Sequence, residues 1–230
     1  MRRGAGRALA GAVLAAAALA GCSSSADEGD EGDDDGARTS SSSPSSSSSS
    51  SDGTAKNGDR DAGRPAVKGL TLGGPGSPCA LPVTFDLAKD WKPQAVEVEP
   101  GSELAELGEQ GTVTLVCEID AKPAGNLGYL RVWAGKKAGG DPRTALEAFV
   151  ADEPNAAKAA YTETEAGSVA AVEVAYTVGD DPPGGSKPER AFAVATPGGP
   201  VVVHLGGMDE EEHRQMLPAY ELARESLKLG

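Results

Sequence analysis

From about residue 70 to its end, the chain predicts an α+β fold: one mostly antiparallel sheet with helices packed on it. Three observations carry that reading. Apolar and polar residues alternate along several short runs, which is the period of a half-buried strand. Asp141 to Asp152 carries the helical period instead, behind an Asp-Pro start. A second helical stripe closes the chain from about Asp209. The resulting order of strands, helix, three strands and helix belongs to the α+β class, and some 160 residues is about the usual size of one domain.

The first strand is Ala80 to Leu87, where Leu81, Val83, Phe85 and Leu87 share a face. Gln94 to Val98 predicts a second, short strand. Thr112 to Ile119 is β-branched, and strict alternation puts Val113, Leu115, Cys117 and Ile119 on one side. In Leu127 to Trp133, the residues Leu127, Tyr129, Arg131 and Trp133 oppose Leu130 and Val132. The helix that follows is capped by Asp141, and Pro142 takes a first-turn position where its missing N–H costs nothing. Leu146, Phe149 and Val150 form its apolar stripe. Ser168 to Val178 alternates again, with Val172, Val174, Tyr176 and Val178 together, and Asp180 to Pro188 predicts a turn-rich loop. Arg190 to Thr196 and Val201 to Leu205 flank Pro197-Gly198-Gly199-Pro200, a hairpin with a four-residue connection. The last helix has an acidic first turn, which suits the helix dipole. Its inward stripe is Met216, Leu217, Tyr220, Ala223 and Leu227, and Pro218 predicts a kink or a division.

The N-terminus is of another kind. Arg2, Arg3 and Arg7 precede the apolar run Ala8 to Ala20, and Leu19-Ala20-Gly21-Cys22 ends it before a serine triplet. This is the three-part pattern of an export signal, and its end looks like the lipobox of a bacterial lipoprotein. Residues 1–21 then form the signal peptide, and Cys22 becomes the lipidated N-terminus. The apolar run, about 13 residues, falls short of the roughly 20 that span a bilayer. A diacylglyceryl group on Cys22, with chains such as palmitate, anchors stably where a single chain does not. The predicted place is the outer face of the cell membrane.

Residues 22–65 read as a tether. They hold an acidic block from Asp27 to Asp35 and a Ser run from Ser40 to Ser51 broken only by Pro44. So few apolar side chains cannot offset the entropy of ordering. A disordered spacer of this length reaches roughly 35 Å. The alternatives are a cation held by the acidic block or a glycosylated Ser run. The folded domain is residues 66–230.

The formal charge is −14, and nearer −17 once the three signal-peptide arginines are removed. Such a chain is a poor match for nucleic acid, which needs clustered Lys and Arg. Lipid at Cys22 is then the hold on the membrane. With Cys22 assigned to lipid, Cys79 and Cys117 remain, an even pair outside the cytoplasm that suggests a disulfide. Two buried free thiols are the alternative.

At this point the chain resembles the Mog1/PsbP-like fold of actinobacterial LpqN-type lipoproteins. The resemblance covers about residues 78–229. It rests on Pro82 to Leu87 followed by Asp90-Trp91, on Leu130 to Trp133 leading into Asp141 to Val150, on the strands around Pro197 to Pro200, and on the closing helix ending at Ala223 to Leu229. A compact Pro-x-Gly-Trp turn usual in that family is replaced here by Ala88-Lys89-Asp90 before Trp91. The resemblance implies an accessory or binding role.

The residues offer little chemistry of their own. His204 shares a strand face with Val202 and has no marked partner, so it reads as a satisfied sheet histidine. No Gly-x-Ser-x-Gly elbow or phosphate-binding glycine loop is present. Asp209 and His213 share a helix face, yet they read as an acidic helix start, and no metal or cofactor is expected. Trp91, Tyr129 and Trp133 are the candidates for contact with a ligand or partner, with Phe149 among the same aromatics. The expected function is non-enzymatic: a lipid-anchored envelope protein that binds a protein partner, or an envelope lipid or glycan. A carrier of a small apolar ligand is the alternative, and a hydrolase built on His204 is the remote one.

Overall fold

A large sheet is the centre of the described domain, and its two faces are covered by different material. In this computed structural model, residues 64–97, 105–179 and 185–230 are described. The signal segment, Cys22, the tether up to residue 63, Val98 and residues 180–184 lie outside them.

The short strands β1 (Lys68–Leu72) and β2 (Val83–Ala88) pair antiparallel, and β11 (Lys228–Leu229) adds to the other side of β2. The large sheet contains β3 (Lys92–Ala95), β4 (Glu109–Gln110), β5 (Val113–Asp120), β6 (Tyr129–Gly135), β7 (Ala156–Ala166), β8 (Val169–Gly179), β9 (Ser186–Thr196) and β10 (Gly199–Gly206). Its order is β3-β5-β6-β10-β9-β8-β7, with β4 beside β5 and each neighbouring pair antiparallel. Helix α1 (Pro142–Ala151) links β6 to β7, and α2 (Glu210–Glu225) follows β10.

The α+β class is therefore observed, but with two sheets rather than one. Lys68–Leu72 is exposed along most of its length and β11 is two residues long, so neither carries an apolar alternation to read. Four strands, not three, separate the helices. The additional one, β7, is a sheet edge whose Ala, Thr and Glu side chains are mostly exposed. Strict alternation also fails in β5. The register shifts between Leu115 and Cys117, so Leu115 lies opposite Trp133 while Cys117 and Ile119 lie opposite Val132 and Leu130 on the other face. An extra residue in one strand produces that switch. Leu127 lies outside β6, and β3 begins two residues earlier than its expected start.

The β9–β10 hairpin turns on Pro197-Gly198 alone, and Pro200 lies inside β10 opposite Ala195. Its ring is accommodated because Gly135 has no side chain; a Cβ there would come within 2.6 Å of the ring. The loop after β8 is likewise shorter than expected, since β9 starts at Ser186. Pro218 does not divide α2. His213 and Met216 before it, and Ala219, Tyr220 and Ala223 after it, are buried, so packing holds both halves in one helix.

The two helix starts are as expected. Asp141 accepts from the Thr144 backbone N–H at 2.8 Å, and Asp209 accepts from that of Glu212 at 2.8 Å. On one face of the large sheet, Leu146 and Phe149 of α1 pack on Trp133, Val174, Ala193 and Val202. On the opposite face, Met216 and Tyr220 of α2 pack with Phe85, Leu130, Phe192 and Val203. A Cys79–Cys117 disulfide, with Cα atoms 6.0 Å apart, ties the β1–β2 connection to β5.

Candidate functional site

The α1 face is apolar along most of its length and polar at one end. The sheet register makes this so. Glu189, Ala191 and Ala193 alternate on that face of β9, as do Val202 and His204 on β10. Tyr176 of β8 lies directly opposite Glu189. Three side chains distant in sequence therefore meet where the sheet passes beyond the end of α1.

Glu189 and His204 are 4% and 5% exposed. His204 Nε2 lies 2.9 Å from Glu189 Oε2. A carboxylate only accepts, which assigns a proton to Nε2. The Tyr176 hydroxyl donates to the same oxygen at 3.0 Å, and Lys187 Nζ lies 2.8 Å from Glu189 Oε1. Burial alone would push the Glu189 carboxyl up, but its bonds to His204 and Lys187 outweigh burial and hold it at about 2. Burial and the Glu189 charge push the Tyr176 hydroxyl far above the ordinary phenol range. The ring of Phe149 packs on the imidazole with centroids 5.4 Å apart.

Glu189, His204 and Lys187 of this cluster line a cleft of about 260 Å³. Trp133 lines it, 5% exposed, and its buried indole N–H finds no acceptor among the described residues. Such an unmade bond costs about 1–3 kcal/mol. Glu153, just past α1, lines the cleft too. Gln110 Nε2 donates to it at 3.2 Å and to the Phe149 carbonyl at 3.1 Å. Burial first, then the charge of Glu189, raises the Glu153 carboxyl. At the rim, Leu127 is 54% and Met208 65% exposed. Both backbone N–H groups donate to the Glu212 carboxylate, which ties the β5–β6 turn to the β10–α2 turn.

Of the aromatic residues singled out by sequence, Tyr129 and Trp133 line this cleft together. The Arg131 guanidinium lies 5.1 Å over the Tyr129 ring and pairs with Glu118 at 2.8 Å. Trp91 lies elsewhere, buried beside Ala66 and Pro218. Phe149 belongs to the α1 core. His204 is buried and bonded, as read from its strand, but the cleft beside it was not foreseen. Asp209 is committed to capping α2, and His213 is buried, with its Nδ1 unbonded and its pKa lowered to about 4 by burial and then by Arg190. Among the described residues, no group of His, Cys, Asp and Glu side chains is arranged to hold a metal ion. Glu189, Tyr176, Glu153, Lys187 and Gln110 escaped the sequence reading. The one available signal was that alternation through Ala191 and Ala193 puts Glu189 on a buried face.

A family model described as "Uncharacterised lipoprotein" matches residues 49–227. The chain belongs to that lipoprotein family. The match takes in the described domain as far as Leu227, leaving out β11, and reaches back to residue 49. No curated protein matches it. Membership suggests a membrane-anchored envelope protein. Among the described residues, no helix is long and apolar enough to cross a membrane.

Proposed function

We propose that this lipoprotein is a non-enzymatic binding protein held at the outer face of the cell membrane. In this reading, residues 1–21 are removed, Cys22 carries the diacylglyceryl anchor, and residues 22–65 tether the domain of residues 66–230. The resemblance of residues 78–229, read from their sequence pattern, to Mog1/PsbP-like, LpqN-type lipoproteins supports that reading.

One observation carries the binding role: a cleft with a buried, polar floor opens beneath an apolar rim, and one floor donor lacks an acceptor. Concave sites with a few convergent polar groups are where small ligands bind. The ligand is a small polar group from the envelope, such as part of a glycan, lipid headgroup or protein partner. The polar lining speaks against an apolar carrier.

A second reading, a hydrolase, gains support from the meeting of His204 with Glu189. It is the weaker one because Nε2 already faces both Glu189 and Tyr176, and the described residues that line the cleft include no serine, threonine or cysteine. Native mass spectrometry of the detergent-extracted lipoprotein tests the choice. A bound small molecule is expected, lost in Gly206→Leu, whose Cβ would sit 3.2 Å from His204 Cε1. No bound species, with a hydrolytic activity abolished by His204→Ala, overturns the binding reading.

A further inference from the structure

Most polar groups of the cleft are committed to one another. Glu189 receives His204, Tyr176 and Lys187, and Arg131 is turned to Glu118 and stacked on Tyr129. Trp133 and Glu153 stand apart from these pairings. Trp133 offers an N–H with no acceptor, from a side chain that is more than nine-tenths buried. Glu153 accepts one bond, from the neutral amide of Gln110, and stands near the Glu189 carboxylate. The charges of Lys187 and His204 also reach Glu153, but both are bonded to Glu189. Among the described residues, the cleft therefore lacks a cationic partner for Glu153 and an acceptor for Trp133, two residues of the same lining.

Resting on the binding reading above, we propose that the cleft recognises a protonated primary amine carried next to an oxygen acceptor. The ammonium would pair with Glu153, and the oxygen would accept from the Trp133 N–H. An anion would be repelled by the Glu153 carboxylate, and a neutral hydroxyl would leave that carboxylate without a counter-charge. Charge-assisted hydrogen bonds to a carboxylate are the stronger kind. The amine-beside-oxygen unit occurs both in amino sugars and in amino-acid amides, and the test separates these sources.

The chain has two tryptophans, Trp91 and Trp133, so a nitrogen–proton correlation spectrum of the processed, lipid-bearing protein in micelles carries two indole signals. Trp133→Phe assigns them. D-glucosamine, glycinamide, D-glucose and N-acetylglucosamine are titrated separately. Glucosamine, glycinamide or both should move the Trp133 signal saturably while Trp91 stays still; which of them does so names the source. Glu153→Gln, with the Trp91 signal unchanged as proof of folding, should weaken that binding about ten-fold or more. Equal binding of glucose, unchanged affinity in Glu153→Gln, or no shift with either amine overturns the proposal. An inert response to amines with a ligand still seen by native mass spectrometry removes the amine and leaves the binding site.

Discussion

The two faces of the large sheet answer different needs. Under α2 the sheet presents Phe192, Val194, Val203 and Leu205, all fully buried, and the disulfide closes the small sheet onto the same layer. Under α1 the packing begins equally dry at Phe149 and Val202, then ends in a buried carboxylate, a histidine and a tyrosine beside an open cleft. Apolar burial is favourable wherever it occurs. A buried carboxylate is retained at a cost unless its partners are well placed. The α2 face therefore holds the fold together, and the polar end of the α1 face is where binding residues can gather.

The largest effect should come from breaking the dry face. Phe192→Ala removes a ring that meets Tyr220 edge-on at 5.5 Å, and should cost about 3–5 kcal/mol by chemical denaturation. The indole signal of Trp133 should barely move, because its ring lies on the opposite face. A displaced Trp133 signal would show that the faces are not independent.

Acid should separate the faces next. His213, on the buried side of α2, has its pKa lowered from 6.5 to about 4, and Glu189 has its pKa lowered from 4.5 to about 2. Both depressions stabilise the fold above the unfolded-state value and are lost as pH falls through the folded-state value. Stability should thus decline first between about pH 6.5 and 4 through His213, then between about 4.5 and 2 through Glu189, each by about 3 kcal/mol at most. Glu153 works against the second limb, since its raised carboxyl favours the folded state on acidification. His213→Gln should flatten the upper limb and Glu189→Gln the lower one in denaturation midpoints measured across pH. A single limb removed by either substitution would unite what the comparison divides.

These faces were unevenly legible in the sequence. The dry face was readable because alternation and helical period are local: Val201, Val203 and Leu205, and the stripe from Met216 to Leu227, can be seen without knowing their neighbours. The cleft was not, because Tyr176, Glu189 and His204 meet only through the register of three strands. Of the three aromatics marked for binding, Trp133 and Tyr129 line this cleft, and Trp91 lines another part of the surface. Composition ranks aromatics without placing them. The β5 bulge and the edge strand β7 escaped for related reasons. A bulge breaks the period that reveals a strand, and an edge strand needs no apolar face to hydrogen-bond to its neighbour.

The smallest predicted effect tests whether the α1 face is itself divided. Asp141 caps α1 at its start, bonding both the backbone N–H and the hydroxyl of Thr144, at 2.8 and 2.9 Å. Glu153 and the cleft lie past the other end of the same helix. Asp141→Ala should therefore cost about 1 kcal/mol by loss of the cap, with fraying limited to the first turn. Phe149 and Leu146 are fully buried on the sheet between the two ends, and packed interiors leave them little room to shift. The Trp133 indole signal, and any ligand shift it reports, should be the same in Asp141→Ala as in the natural chain. If the cap variant weakened binding as Glu153→Gln does, the cleft would depend on the whole length of α1 rather than on the sheet register that assembles its floor.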